Sequence, residues 1–178
     1  MSARHVLVLG GARSGKTSFA ERLAMGSGAT PAYLATAQAL DSEMRERVAS
    51  HRAQRAGRFE TIEEPLMLAH SVAETALTHD VILVDCLTLW ITNLLGAGRD
   101  VAEAVEQLAT TLSSLDSCRV ILVSNEVGLG IVPDNPLART FRDLAGSTHQ
   151  RMAEICDDVY FVVAGLPLTL KGAAPGVN

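Results

Sequence analysis

Four short apolar runs stand out along the chain: Val6 to Leu9, Val81 to Val84, Val120 to Val123 and Val159 to Val163. Each is β-branched and continuous rather than alternating, the pattern of a strand buried on both faces. A fifth run, Tyr33 to Ala35, has the same character. Between the runs the apolar period lengthens to three and four. Val101, Ala104, Val105, Leu108, Leu112 and Leu115 line one helical face, Phe19, Ala20 and Leu23 another, and Leu66 to Thr78 and Pro136 to Ile155 read as further helices. Strands alternating with helices predict a three-layer α/β fold around a mostly parallel central sheet, which presents ligands beyond the carboxyl ends of its strands. One domain is expected over residues 1–171, with 172–178, Gly-Ala-Ala-Pro-Gly-Val-Asn, a flexible tail.

The first strand runs directly into Gly10-Gly11-Ala12-Arg13-Ser14-Gly15-Lys16-Thr17, which fits the phosphate-binding pattern G-x-x-x-x-G-K-[ST] between strand and helix. Its glycines let successive backbone N–H groups turn toward phosphate oxygens, and the following helix adds the positive end of its dipole. Lys16 is placed to meet the β and γ oxygens, and Thr17 a bound Mg²⁺. The whole is therefore expected to be a P-loop NTPase-like, nucleotide-binding domain. Asp85 ends the run Val81-Ile82-Leu83-Val84, where P-loop proteins keep the acid that shares Mg²⁺ with the loop hydroxyl; a turn-forming aspartate would look the same.

Composition narrows the partners. The 178 residues are 48% hydrophobic and carry a net charge of −5, which suits a packed globular chain and argues against a nucleic-acid partner. Lysine occurs only at Lys16 and Lys171, so the remaining cations are arginines, suited to bidentate contact with phosphate. Cys86, Cys118 and Cys156 are odd in number and set among apolar residues, as expected for reduced thiols in a cytoplasmic protein. No secretory leader and no membrane-spanning run is visible.

Three other stretches carry chemistry. Asp41 to Met44 reads as a helix start; beyond it Met44, Val48 and His51 share a face flanked by arginines. Those cations would keep the imidazole neutral, as a nucleophile needs, and could hold a triphosphate against it; a solvated basic helix has the same pattern. Ser124 to Pro133 is a glycine-containing loop on the ligand side, with Asn125 and Glu126 as candidate substrate contacts or simply a structural loop. Arg139, Arg142 and Asp143 read as a helix surface with an ion pair, and His5, His70, His79 and His149 show no metal-ligand spacing.

In this order the segments resemble the bifunctional adenosylcobinamide kinase/adenosylcobinamide-phosphate guanylyltransferase family of cobalamin biosynthesis. The likeness is carried by Gly10 to Lys16, Tyr33 to Gln38, Asp41 to Met44, His51-Arg52, Thr61 to Glu63, Asp85 to Thr88, Asn93 to Leu95, Asn125 to Pro133, Leu137 to Arg139 and Phe141 to Asp143. The resemblance implies phosphorylation of the aminopropanol hydroxyl of adenosylcobinamide by ATP or GTP. It then implies transfer of GMP from GTP to the resulting phosphate through a guanylylated histidine, which by motif position is His51. The catalytic residues would be His51 and Lys16, with Mg²⁺ on Thr17 and Asp85. Nucleotide contacts would map to Gly10, Gly11, Ala12, Arg13, Ser14, Gly15, Lys16, Thr17, Thr36, Ala37, Gln38, Arg52, Ala53, Gln54, Arg55, Glu63 and Asp85. A corrinoid substrate and a homotrimer are implied as well. The chain departs from the family pattern at Ser50, where a second histidine is common, and at His149, where an asparagine is expected. The loop reads phosphates rather than the base, so a P-loop kinase for another small alcohol, or a nucleotide-binding switch without transfer chemistry, would share its first half.

Overall fold

The computed structural model describes residues 4–26, 31–38 and 57–175, and the statements below concern these. Seven strands form one sheet: β1 Val6–Gly10, β2 Ala32–Ala35, β3 Glu60–Glu63, β4 Val81–Asp85, β5 Arg119–Asn125, β6 Asp158–Val163 and β7 Leu166–Lys171. The order is β3-β2-β4-β5-β1-β6-β7, parallel throughout except where β7 returns antiparallel along β6. The described helices are α1 Lys16–Met25, α2 Leu68–Thr75, α3 Leu87–Gly96, α4 Val101–Ser114 and α5 Pro136–Ile155.

Continuous apolar runs became strands because successive side chains enter different layers. Leu7, Leu9, Ile82, Val84, Val120 and Leu122 point into a core shared with Leu68, Val72, Trp90, Leu94, Val105, Leu108 and Met152 of α2 to α5. Val6, Val8, Leu83, Ile121 and Val123 point the other way, onto Phe19, Ala20 and Ala24 of α1. The expected three layers and mostly parallel sheet are thus present.

Helix starts follow local chemistry. Asp100 accepts a hydrogen bond from Glu103 N at the head of α4, and Asn135 accepts from Leu137 N and Ala138 N ahead of Pro136 in α5. Three elements were not anticipated. Helix α3, Leu-Thr-Leu-Trp-Ile-Thr-Asn-Leu-Leu-Gly, is too uniformly apolar to show a period, and Trp90, Ile91 and Leu94 are buried in it. Strand β3 has one strongly apolar residue, Ile62, because it is an edge strand. Strand β7 contains Pro167, tolerated because β7 is the opposite edge. Past its end, inside the segment expected to be loose, Ala173 N donates to Asp158 Oδ1 at 3.0 Å and Tyr160 Oη donates to Ala173 O at 2.8 Å. The helix expected from Asp41 lies outside the described residues.

Candidate functional site

The phosphate loop leaves β1 at Gly10, where the backbone passes so close to β6 that an added Cβ would sit 2.6 Å from Val162 O and from Ser14 Oγ. It closes with Ser14 N donating to Gly11 O at 3.3 Å and reaches Gly15 in the left-handed region at φ +91°. The loop is braced from outside by Gly165 of the β6–β7 turn, whose N–H donates to Ser14 O at 2.7 Å. Helix α1 begins at Lys16 with no side chain capping its first turn, which leaves N–H donors and the helix dipole to an anion.

Lys16 is buried, and its Nζ donates to Gly11 O at 2.9 Å. Burial pushes its pKa down, while Asp85 and Cys86 oppose that shift. Thr17 Oγ1 donates to Asp85 Oδ2 at 3.3 Å, and Tyr33 Oη donates to the same oxygen at 2.6 Å. The sheet therefore brings the loop hydroxyl and the strand-end carboxylate together across 68 positions of sequence. Two hard oxygen donors beside a phosphate loop fit Mg²⁺, which takes one or two protein oxygens and completes its octahedron with phosphates and water. Among the described residues no cluster of three His, Cys, Asp or Glu side chains forms a cage of its own.

Thr36 is fully buried: its Oγ1 donates to Cys86 O at 2.8 Å and accepts from Cys86 N at 2.9 Å. Asn93 Nδ2 donates to Thr36 O at 2.7 Å and to Pro65 O at 3.0 Å, so the segments that follow β2 and β3 are pinned to α3. The Thr36 side chain is thus committed to the scaffold, whereas Ala37 and Gln38 beyond it are partly exposed. Glu63 is exposed at the end of β3, in register with Ala35, which pairs with Asp85 on its other side. His51 and Arg52, Ala53, Gln54 and Arg55 lie outside the described residues.

Two strand-end residues singled out from the sequence take different paths. Asn125 turns toward α3, where its Nδ2 donates to Thr88 Oγ1 at 2.9 Å and approaches Cys86 Sγ at 3.8 Å. Glu126 stays at the loop: its N–H donates to Gly10 O at 3.0 Å, and its Oε1 accepts from Gly128 N. His149 of α5 completes this corner. Its Nδ1 stands 3.7 Å from Glu126 Oε2, and its Nε2 is 2.7 Å from Ser124 Oγ. Burial pushes the imidazole pKa down, against the pull of Glu126. His149 has no metal-ligand spacing in the sequence, and its place beside Ser124 and Glu126 comes from the packing of α5 against the end of β5. Arg139 Nη1 holds the carbonyls of Pro133 and Asp134, and Arg142 pairs with its neighbour Asp143.

Comparison with known proteins decides the family. The family described as cobinamide kinase / cobinamide phosphate guanyltransferase matches residues 6–170. The chain belongs to that family. It is accordingly a kinase and guanylyltransferase of cobalamin biosynthesis. It is 50% identical over 172 residues to the bifunctional adenosylcobalamin biosynthesis protein CobP of Pseudomonas aeruginosa, covering 93% of this chain and 96% of that one. With the bifunctional adenosylcobalamin biosynthesis protein CobU of Escherichia coli it shares 38% over 180 residues, 93% of this chain and 99% of the relative. Among solved structures it resembles a type III secretion ATPase of pathogenic bacteria, with TM-score 0.59 and 13% identity over 94% of this chain and 57% of the other. It also resembles the flagellar accessory protein FlaH of Methanocaldococcus jannaschii, with TM-score 0.52 and 14% identity over 96% and 79%. These distant likenesses establish the P-loop fold and nothing finer.

Proposed function

We propose that one nucleotide site serves both reactions of the family in this chain, and the observation that supports it best is the meeting of Lys16, Thr17 and Asp85 at the phosphate loop. In the first reaction the hydroxyl of the aminopropanol arm of adenosylcobinamide takes the γ-phosphate of ATP or GTP. Gly10 to Thr17 hold the phosphates, and Lys16 offsets charge on the β and γ oxygens. Thr17 and Asp85 would hold Mg²⁺, which would supply charge stabilisation to the phosphates.

In the second reaction the neutral imidazole of His51 attacks the α-phosphorus of GTP. The N–P bond forms, the α–β bridging P–O bond breaks, and pyrophosphate leaves with the electron pair. An oxygen of adenosylcobinamide phosphate then attacks the same phosphorus, the N–P bond breaks, and adenosylcobinamide-GDP forms. Arg52 to Arg55 follow His51 closely enough in sequence to balance phosphate charge, and Ala37, Gln38 and Glu63 complete the nucleotide's surroundings, while Thr36 braces them from beneath through Cys86. The enzyme works in the cytoplasm as a homotrimer. No helix among the described residues is long and apolar enough to cross a membrane.

The test is incubation with Mg²⁺ and GTP labelled at the α-phosphate. Wild type should gain acid-labile, base-stable label that is lost on chelation and in His51→Ala. A wild type that binds GTP but takes no label removes the histidine route and leaves a simple kinase.

A further inference from the structure

Strand β5 lies between the phosphate-loop strand β1 and the Asp85 strand β4, so its carboxyl end emerges between the two groups that handle the terminal phosphate. Glu126 is the first residue past that end, and its N–H is bonded to Gly10 O at the root of the loop. Its side chain keeps 20% of its surface exposed, beside His149 at 8%. One carboxylate oxygen is held by a hydrogen bond, Oε1 from Gly128 N–H, and the His149 imidazole faces the other, with Nδ1 3.7 Å from Oε2. Gly128 leaves the room for this, since an added Cβ there would come within 2.9 Å of Glu126 Oε1. No arginine or lysine among the described residues pairs with Glu126.

The Glu126 backbone is bonded to the root of a loop built for a polyanion, and a carboxylate anchored there is electrostatically opposed to that anion. A proton taken from the incoming nucleophile removes the opposition as the reaction proceeds. From this juxtaposition we infer that Glu126 is the general base of the kinase reaction, a catalytic residue, and that Ser124 and His149 are positioning residues that hold its carboxylate toward the acceptor hydroxyl. The inference rests on the kinase half of the function proposed above. In the step, the acceptor O–H proton passes to the Glu126 carboxylate. The freed oxygen pair forms the bond to the γ-phosphorus, the β–γ bridging P–O bond breaks, and the nucleoside diphosphate leaves with its electrons.

The Ser124-His149-Glu126 line runs opposite to a serine nucleophile relay. Ser124 is fully buried and cannot meet a substrate, whereas Glu126 is at the open end. Burial that keeps His149 neutral also keeps it from forming a full ion pair with Glu126, which would weaken the carboxylate as a base.

The second reaction gives this base no task, because its acceptor is already a phosphate anion. That separates the outcomes. The experiment measures phosphorylation of adenosylcobinamide, and separately guanylylation of the enzyme by α-labelled GTP, in wild type, Glu126→Gln, His149→Asn and the double variant. Expected for Glu126→Gln is a fall in kinase kcat of about 10²–10⁴-fold, with nucleotide KM and the guanylylation rate within about threefold of wild type. Expected for His149→Asn is a fall of about tenfold in kcat with KM unchanged, and no further loss when it is added to Glu126→Gln, because it acts through that carboxylate. A Glu126→Gln kinase rate near wild type overturns the inference, as does a loss shared equally by both half-reactions. Additive losses in the double variant overturn the role given to His149. The wild-type rates test the function itself; the ratios of variant to wild type test Glu126.

Discussion

Gly10 has no room for a side chain, and the obstacle is backbone rather than a movable group: Val162 O of β6 would stand 2.6 Å from an added Cβ. Gly10→Ala must therefore shift either the loop or β6. Because the phosphate donors are placed by the path of this loop, nucleotide affinity is expected to fall by at least about tenfold. Titration calorimetry with ATP and GTP reads this directly, and unchanged affinity would mean that the loop is set from the α1 side instead. Gly10, Lys16, Thr17 and Asp85 were legible in the sequence because their chemistry is written in contiguous residues and a strand end. Ser124, Glu126 and His149 were only partly so: Glu126 was marked by its place after a strand, but the imidazole that faces it comes from a helix 23 positions on. Thr36 reads as a nucleotide contact by motif, yet its hydroxyl is committed to Cys86, a pairing that only the β2–β4 register creates.

The β6–β7 hairpin explains why an edge strand matters to the loop. Its turn has Ala164 at φ 51° and Gly165 at φ 80°, the twist of a two-residue turn with both central residues left-handed. That geometry aims Gly165 N–H at Ser14 O. Alanine is strained there and exposed, so Ala164→Gly should stabilise the fold by up to about 1 kcal/mol, after allowing for the freer unfolded chain. A higher urea midpoint with unchanged slope is the expected reading; a lower midpoint would show that the turn does not hold this conformation in solution. The elements visible in sequence were those buried on both faces or carrying a clean helical period. Strands β3 and β7 were not, since an edge strand has no need of a continuous apolar run, and β7 leaves Leu166, Leu168 and Leu170 exposed. Helix α3 failed for the opposite reason, being apolar on too many sides to show a period.

Across the whole sheet the phosphate machinery occupies the carboxyl ends of the strands, and the amino ends are fastened by a buried histidine. His5 precedes β1 and is 4% exposed. Its Nε2 lies 2.9 Å from Leu112 O of α4, while its Nδ1 accepts from Val120 N of β5 at 3.2 Å. These partners require a neutral ring with the proton on Nε2, because a proton on Nδ1 would face the Val120 N–H. Burial lowers the His5 pKa below its ordinary 6.5; the Leu112 carbonyl and Asp157 raise it, and Arg119 lowers it further. An unfolded chain then binds the proton more readily than the folded one, so stability is full above about pH 6.5 and declines as pH falls toward the folded value. His149, also lowered by burial, acts in the same direction. Asp158 follows at lower pH: burial opposes its charge, but the hydrogen bonds from Arg4 and Ala173 outweigh it and leave its pKa lowered. Chemical denaturation between about pH 7.5 and 5 should show wild-type stability falling with acid, and His5→Gln should show a shallower fall, because among the described residues His149 alone then titrates from a buried neutral state in that window. The variant is expected to start less stable at pH 7.5, having lost the ring that joins α4, β1 and β5. Equal slopes for the two proteins would mean that His5 opens to water before it takes the proton, and that the amino ends of the strands loosen independently of the site at the other end.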